Sequence, residues 1–239
     1  MKRWQAKKYT QAAKDRHGDE EVASKEVHAV RTIILILAST FFILALLIIL
    51  NQINEVPYTS EQKEQDSLYC DRKEPCPPQH LSFLMRSGAA NVVGPRLCLE
   101  GNLILSHSMQ NVGEGLTILF VNGKTGKVLR SDHFNMYSED VTKLMEFMKD
   151  IPPSTLVFVL SFDDPATKLT DKAREIFQEL GSTAIKTIGF RDVWLFVGAN
   201  GIKGPSPFEV VVKNDRDTNK YDGWPEMAKL EGCVPLKQG

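Results

Sequence analysis

The sequence has almost no net charge and none of the short motifs that identify common enzyme classes. Its 29 lysines and arginines balance 30 aspartates and glutamates, so no excess of positive charge favours nucleic acid as a partner. It contains no G-x-S-x-G elbow, no P-loop, no C-x₂₋₄-C pair and no histidine set at metal-ligand spacing. These absences predict a protein that is not an enzyme and has neither a metal site nor a cofactor.

Charged residues are also absent from one long stretch, Thr32–Leu50, with the sequence TIILILASTFFILALLIIL. A helix of this length rises roughly 28 Å, close to the thickness of the hydrocarbon core of a bilayer. We therefore predict a transmembrane helix at residues 32–50. On either side of it we predict a solvated cytoplasmic tail at residues 1–31 and a polar stalk at residues 51–69.

The charges around this segment predict its orientation. No lysine or arginine follows the segment until Lys63, whereas eight precede it: Lys2, Arg3, Lys7, Lys8, Lys14, Arg16, Lys25 and Arg31. Because positively charged flanks stay in the cytoplasm, the rest of the chain is expected to be luminal or extracellular, which is a type II topology. A cleaved signal peptide is the alternative. The long region before the apolar core and the bulky residues after it favour a signal-anchor.

All four cysteines lie on the side predicted to be oxidising. Their spacing fits no zinc site, and they predict two disulfides with three possible pairings that the spacing leaves open. The cysteines are Cys70, Cys76, Cys98 and Cys233. The sequence has no N-x-[ST] sequon, so N-glycosylation is not expected.

Residues 70–235 are predicted to form one folded domain of the α+β class with a largely antiparallel sheet. The turn NGKTG joins two predicted strands, Leu116–Val121 and Lys127–Arg130. The runs TLVFVLS and VWLFVG are too apolar for surface strands, so both are expected at the centre of a sheet.

Two segments of this domain have the 3.6-residue period of an amphipathic helix. The first is expected to be capped by Ser138 and to end before Pro152, with an apolar face formed by Val141, Leu144, Met145 and Met148. The second is expected to begin at Thr170 and to stop at Gly181, with Ala173, Ile176, Phe177 and Leu180 on its apolar face.

Three places carry side chains that could bind a ligand. Asp163 and Asp164 follow an apolar strand, but adjacent residues of a strand point to opposite faces, so they do not form an acid–base pair. Asp164 precedes Pro165 and is typical of a turn. Arg191 opens another buried strand and acts there either as a structural clamp or as a donor to a ligand. Trp224 either covers the core or provides a face for a sugar ring.

Several segments, taken in order, resemble the family with sequence similarity three, a family of secreted cytokine-like proteins. They include SGAANVVGPRLCLEGNLILS, NVGEGLTILFVNGKTGKVL, TLVFVLSFDDPATKL, FRDVWLFVGANG and NKYDGWPEMAKLEGCVP. The resemblance extends over residues 70–235 and does not include residues 1–69. It implies two mainly antiparallel β-sheets packed face to face with short flanking helices, and no catalysis. It also implies the disulfide pairing Cys70–Cys98 and Cys76–Cys233.

The same domain is similar to the lectin-like stem module of a glycosyltransferase that builds O-mannosyl glycans. That module binds N-acetylglucosamine through an arginine, an aspartate and a second arginine. Asp163 matches the aspartate and Arg191 matches the second arginine, whereas Glu114 stands in the segment that holds the first. Because Glu114 replaces a donor with an acceptor, we expect weak binding of such a sugar.

The resemblance favours one functional hypothesis and leaves a second open. The first is a non-enzymatic, cytokine-like signalling ligand that acts through a cell-surface receptor. The second is a carbohydrate-binding module that recognises N-acetylglucosamine-type glycans. In both cases the chain is expected in the secretory pathway. It would reside there as a type II single-pass protein of the Golgi or plasma membrane, attached through residues 32–50, or be secreted after cleavage.

Overall fold

The computed structural model describes residues 31–47, 70 and 74–236. The chain divides into two units, Met1–Pro57 and Tyr58–Gly239, which are described separately. In the first unit, helix α1 covers residues 31–47. The predicted stalk at residues 51–69 and all but the last residue of the predicted cytoplasmic tail lie outside the described residues.

The predicted transmembrane helix at residues 32–50 is not confirmed. None of the helices in the described ranges is both long enough and apolar enough to cross a membrane. Helix α1 is described as far as residue 47. Residues 48–50 of the predicted span lie outside the described residues.

The second unit contains two antiparallel sheets. The four-stranded sheet contains β1 (His80–Arg86), β2 (Arg96–Leu99), β3 (Asn102–Leu105) and β9 (Lys229–Pro235), in the order β3-β2-β1-β9. The five-stranded sheet contains β4 (Gly115–Asn122), β5 (Val128–Phe134), β6 (Thr155–Phe162), β7 (Val193–Ala199) and β8 (Glu209–Val212), in the order β5-β4-β6-β7-β8. Every strand pairing recorded in the described residues is antiparallel, which confirms this part of the predicted fold.

The two sheets pack face to face around a shared apolar core. Alternate residues of β1, among them Leu81, Phe83 and Met85, meet the inner residues of β4, β6 and β7 there. The rings of Phe83 and Phe158 cross at the centre, edge to face, with 5.6 Å between their centroids. This arrangement confirms the sandwich that the family resemblance implies.

A second core covers the other face of the five-stranded sheet. Two short helices, α2 (Thr142–Phe147) and α3 (Asp171–Glu179), pack against that face. Phe177 of α3 meets Trp194 of β7 edge to face, with 5.3 Å between ring centroids. Strands β4, β6 and β7 are therefore buried on both sides, which confirms the predicted central positions of β6 and β7.

One helix begins where the sequence predicts and the other does not. Thr170 caps α3, since its hydroxyl oxygen accepts a hydrogen bond from the Ala173 amide at 3.2 Å. The prediction of Ser138 as a cap was wrong, because Ser138 donates its own amide to the side chain of Asn135 at 3.0 Å. The chain forms a turn there, and α2 begins only at Thr142, after Val141, which makes no side-chain cap bond.

The two disulfides have the pairing that the resemblance implies. Cys70 is bonded to Cys98 of β2, with a sequence separation of 28 residues. Cys76 is bonded to Cys233 of β9, with a separation of 157 residues. Strand β9 also pairs along its whole length with β1, so the last strand of the domain lies beside the first.

Candidate functional site

The predicted site residues lie in loops at one end of the sandwich. Gly115, at the start of β4, pairs with Phe162 at the end of β6, and the adjacent Leu116 pairs with Phe134 at the end of β5. Strand β7 begins at Val193, at this same end of the sheet. The segments that precede β4 and β7 and that follow β6 therefore meet there, and they carry Glu114, Arg191 and Asp163.

Asp164 builds the turn on which Asp163 is displayed. It is almost completely buried, and its Oδ1 accepts hydrogen bonds from the Ala166 amide at 3.0 Å and from the Arg191 amide at 3.4 Å. One carboxylate thus joins the loop after β6 to the loop before β7. The interpretation of Asp164 as a turn residue agrees with these bonds.

Asp163 and Arg191 both have a left-handed backbone, each with φ of 59°. Such a conformation is uncommon for residues other than glycine and occurs more often at functional sites. It directs the two side chains toward each other, and Arg191 Nε lies 3.6 Å from Asp163 Oδ1. The pair is half-buried, with exposed side-chain fractions of 33% for Arg191 and 18% for Asp163.

Two aromatic rings contact the Arg191 guanidinium. Its central carbon lies 3.7 Å from the centroid of the Trp224 ring and 4.8 Å from that of Phe190. These are cation–π distances, which stabilise an arginine without using its hydrogen-bond donors. Trp224 therefore positions Arg191, a role that the sequence did not predict.

Burial is the main influence on the pKa of Asp163. Burial raises the pKa of this carboxyl group above its ordinary value, and the attraction of Arg191 does not fully reverse that effect. The negative charges of Glu114 and Asp164 raise its pKa further. Glu114 is thus near enough to influence Asp163, so all three predicted site residues belong to one electrostatic neighbourhood.

The clamp of the loop before β7 is Asp192. Its carboxylate is buried and accepts hydrogen bonds from the amides of Gly189 and Asn214, both at 2.7 Å. It also forms an ion pair with Lys213. The loop is therefore held through Asp192.

The comparisons with known proteins are clear about the family. Residues 114–202 match the family described as Interleukin-like EMT inducer. Protein FAM3C from Rattus norvegicus is 52% identical over 169 residues, which cover 71% of this chain and 74% of that protein. The chain belongs to the FAM3 family. Protein FAM3D from Homo sapiens is also 52% identical, over 168 residues that cover 70% of this chain and 75% of that protein. Protein FAM3A from Mus musculus is 50% identical over a similar region, with 73% of that protein covered.

Membership of the FAM3 family confirms the resemblance seen in the sequence. The matched residues 114–202 include Glu114, Asp163 and Arg191, whereas Trp224 lies beyond them. In the described part of this FAM3 chain, no group of three or more His, Cys, Asp or Glu side chains is placed to hold a metal ion. The site offers one carboxylate acceptor, one guanidinium and aromatic faces, a combination suited to recognition of a polar ligand.

An exposed pair of aromatic side chains lies beside Arg191 of this FAM3 domain. Phe190 is 46% exposed and Tyr137 is 60% exposed, with 6.3 Å between their ring centroids. Neither residue was predicted from the sequence, although each lies in a polar loop segment, NMYSED or GFRD, where an aromatic residue has no strand face to cover. Large exposed aromatic rings are typical of interaction surfaces.

Proposed function

We propose that this chain is a cytokine-like signalling ligand that has no enzymatic activity and acts through a cell-surface receptor. The observation that carries the proposal is the family match, since residues 114–202 fit a family described as an interleukin-like inducer. The two disulfides support a location in the secretory pathway, because such bonds persist in oxidising compartments. Residues 32–50 would direct the chain into that pathway, and sequencing the N-terminus of the mature protein would distinguish a retained segment from a cleaved one.

The surface around Phe190 and Tyr137 is the proposed receptor contact. Aromatic residues supply much of the binding energy at protein interfaces, and here Phe190 contacts Arg191 and Tyr137 lies beside Phe190. Binding of the labelled protein to receptor-bearing cells should be saturable and competed by unlabelled protein. Phe190→Ala should weaken it about tenfold or more.

Leu129→Ala provides the matched control for this experiment. Leu129 is 46% exposed, as Phe190 is, but lies near the opposite end of β5. Its replacement should leave cell binding unchanged. Equal effects of the two substitutions would contradict the proposed contact surface, and the absence of saturable binding to any cell type would contradict the signalling proposal.

A carbohydrate-binding function is the second candidate, and the position of Arg191 between Asp163 and the Trp224 ring favours it. An acceptor, a donor and a ring are the groups that sugar hydroxyls and sugar faces require. Because Glu114 adds negative charge near Asp163, we expect undetectable or weak binding of N-acetylglucosamine-terminated glycans. Calorimetric titration should show measurable affinity for Glu114→Arg, and the further change Asp163→Ala should remove it. Tight binding by the wild type that survives Asp163→Ala would contradict this assignment.

A further inference from the structure

Three cations lie side by side across the four-stranded sheet. Arg86 of β1 is directly opposite Arg96 of β2 on one side and directly opposite Lys229 of β9 on the other. The neighbouring residues Met85 and Leu97 point into the core. Because side chains alternate along a strand, the three cations share the outer face of the sheet.

Arg86 is the centre of this row, and its charge has no partner in the described residues. Its Nε is buried without a hydrogen-bond partner, and no ion pair within the described ranges includes it. On β9, the carboxylate of Glu231 pairs with Lys229 at 2.9 Å. Like charges directly opposite on adjacent strands are unfavourable, and a buried donor without an acceptor adds to the cost.

A cavity of about 180 Å³ opens beside the two arginines. Its lining is Arg86, Ser87, Val93, Gly94, Arg96 and Met227. Ser87 holds one wall, because its amide donates to the Ala228 carbonyl at 3.1 Å and its hydroxyl oxygen accepts from the Ala228 amide at 3.0 Å. A bridge between Ala89 and Val93 holds another. The cavity is therefore shaped before any ligand arrives, which lowers the entropic cost of binding.

We propose that this cavity binds a tetrahedral oxyanion, presented outside the cell as a sulfate group of a sulfated glycan. A single arginine satisfies both oxygens of a planar carboxylate. Two guanidinium groups at one cavity are better matched by a tetrahedral anion, whose oxygens lie in different planes. Val93 and Met227 add apolar side chains to the lining, and apolar surroundings strengthen the attraction between ions. This proposal is independent of the receptor contact proposed above.

The test is a titration of the full-length protein, purified in detergent, with sodium sulfate and with sodium chloride at matched ionic strength. Sulfate also stabilises proteins non-specifically, so the informative quantity is the difference between variants. Arg86→Gln should lower the affinity for sulfate by about tenfold or more, the effect of losing a charged hydrogen bond. Arg86→Lys keeps the charge but loses the forked donors, and it should also bind more weakly than the wild type.

Arg216→Gln is the control, because Arg216 is exposed in a turn away from the cavity. It should titrate as the wild type does. Without sulfate, Arg86→Gln should melt at the same temperature as the wild type or higher, since the substitution removes a guanidinium whose buried Nε has no hydrogen-bond partner. A lower melting temperature combined with unchanged sulfate affinity would assign Arg86 a structural role and overturn the proposal.

A second arm of the experiment tests the source of the anion. Immobilised sulfated heparin fragments should retain the wild type to higher salt than Arg86→Gln, and chemically desulfated fragments should not retain either protein. Inorganic phosphate serves as the other tetrahedral probe. If phosphate binds at Arg86 while sulfated fragments distinguish no variant, the assignment to sulfated glycans is wrong.

Discussion

In the five-stranded sheet, strands β4, β6 and β7 are buried on both faces, whereas the strands of the four-stranded sheet have one buried face and one that is only partly covered. The first sheet lies between the shared core and the helices α2 and α3. The second has no layer of helices against its outer face in the described residues. The two sheets thus depend on different sources of stability.

Both disulfides belong to the four-stranded sheet. Cys98 and Cys233 lie in β2 and β9, and the outward-facing Leu84 of β1 packs with Cys70 and Cys98 into a small buried cluster. A disulfide stabilises chiefly by restricting the unfolded chain, and the effect grows with the loop that it closes. The disulfides therefore stabilise the four-stranded sheet, whereas burial by helices stabilises the five-stranded sheet.

Removal of the long-range disulfide should have the largest effect. The double substitution Cys76→Ser and Cys233→Ser opens a loop of 157 residues. From the entropy of loop closure, we expect this to lower the free energy of unfolding by roughly 5 kcal/mol. The corresponding change at Cys70 and Cys98 opens a loop of 28 residues and should cost roughly 3.5 kcal/mol. Urea unfolding of the oxidised proteins measures both values. Equal costs for the two pairs would contradict the comparison, as would normal secretion of the Cys76 variant with an unchanged melting temperature.

Truncation of an aromatic residue should damage the helix-covered sheet by a different route. Phe177→Ala in α3 removes a fully buried ring that contacts Trp194, and we expect a loss of about 3–4 kcal/mol. Glu175→Ala on the exposed face of the same helix should change stability by less than about 0.5 kcal/mol. The loss at Phe177 should be the same in oxidised and in reduced protein, measured by urea unfolding. If the loss differed between the oxidised and the reduced protein, the stabilities of the two sheets would be coupled more closely than the structure indicates.

The edge strand β8 provides a pH-dependent contribution. Burial alone would raise the pKa of Glu209, but hydrogen bonds from Ser182, Thr183 and Trp194 outweigh burial and hold the pKa below its ordinary value of 4.5. A depressed pKa stabilises the fold above that ordinary value, and the stabilisation is lost as the pH falls through the lower folded value. Glu209→Gln should cost about 1–3 kcal/mol at neutral pH. The cost should shrink in acid, as followed by melting curves between pH 7 and 3, and a cost independent of pH would contradict this role.

The smallest effect on stability is expected at Asp163, whose pKa is shifted in the opposite direction to that of Glu209. The pKa of Asp163 in the folded protein lies above the ordinary value of 3.8. The stability that this carboxyl group contributes is therefore fully present below pH 3.8 and is lost as the pH rises through the folded-state pKa. Asp163→Asn cannot ionise, tolerates the left-handed backbone, and loses only a half-exposed ion pair of low value. It should raise stability at neutral pH by no more than about 1 kcal/mol. A clear fall in melting temperature would instead make the Asp163–Arg191 pair a structural clamp.

The central part of the fold could be predicted because burial on both faces leaves a strong pattern in the sequence. The runs that form β4, β6 and β7 are continuously apolar, and Thr170 marks the start of α3. Strand β9 was missed, since its sequence KLEGCVP mixes glycine and charge with few apolar residues. Strand β8 was missed because its sequence EVVV is too short to show a period. The pairing of β9 with β1 is a contact between the two ends of the domain, for which no local pattern exists.

The candidate site was predicted only in part. The family resemblance pointed to Asp163, Arg191 and Glu114, and the turn residue Asp164 followed from its position before Pro165. The contact of Trp224 with Arg191 and the clamp formed by Asp192 and Lys213 join segments that are distant in the chain. Such contacts depend on the tertiary fold, which decides the neighbours of each side chain.

The bond between Cys76 and Cys233 also has a mechanical consequence. It joins the chain just before β1 to the end of β9, beside the strands that pair His80 with Pro235. When the domain is pulled between a point before Cys76 and a point after Cys233, the tension passes through the sulfur atoms. The residues between them bear no load. Single-molecule stretching should therefore extend the oxidised domain by only a few residues, and addition of a reductant should release the contour length of the entire sandwich.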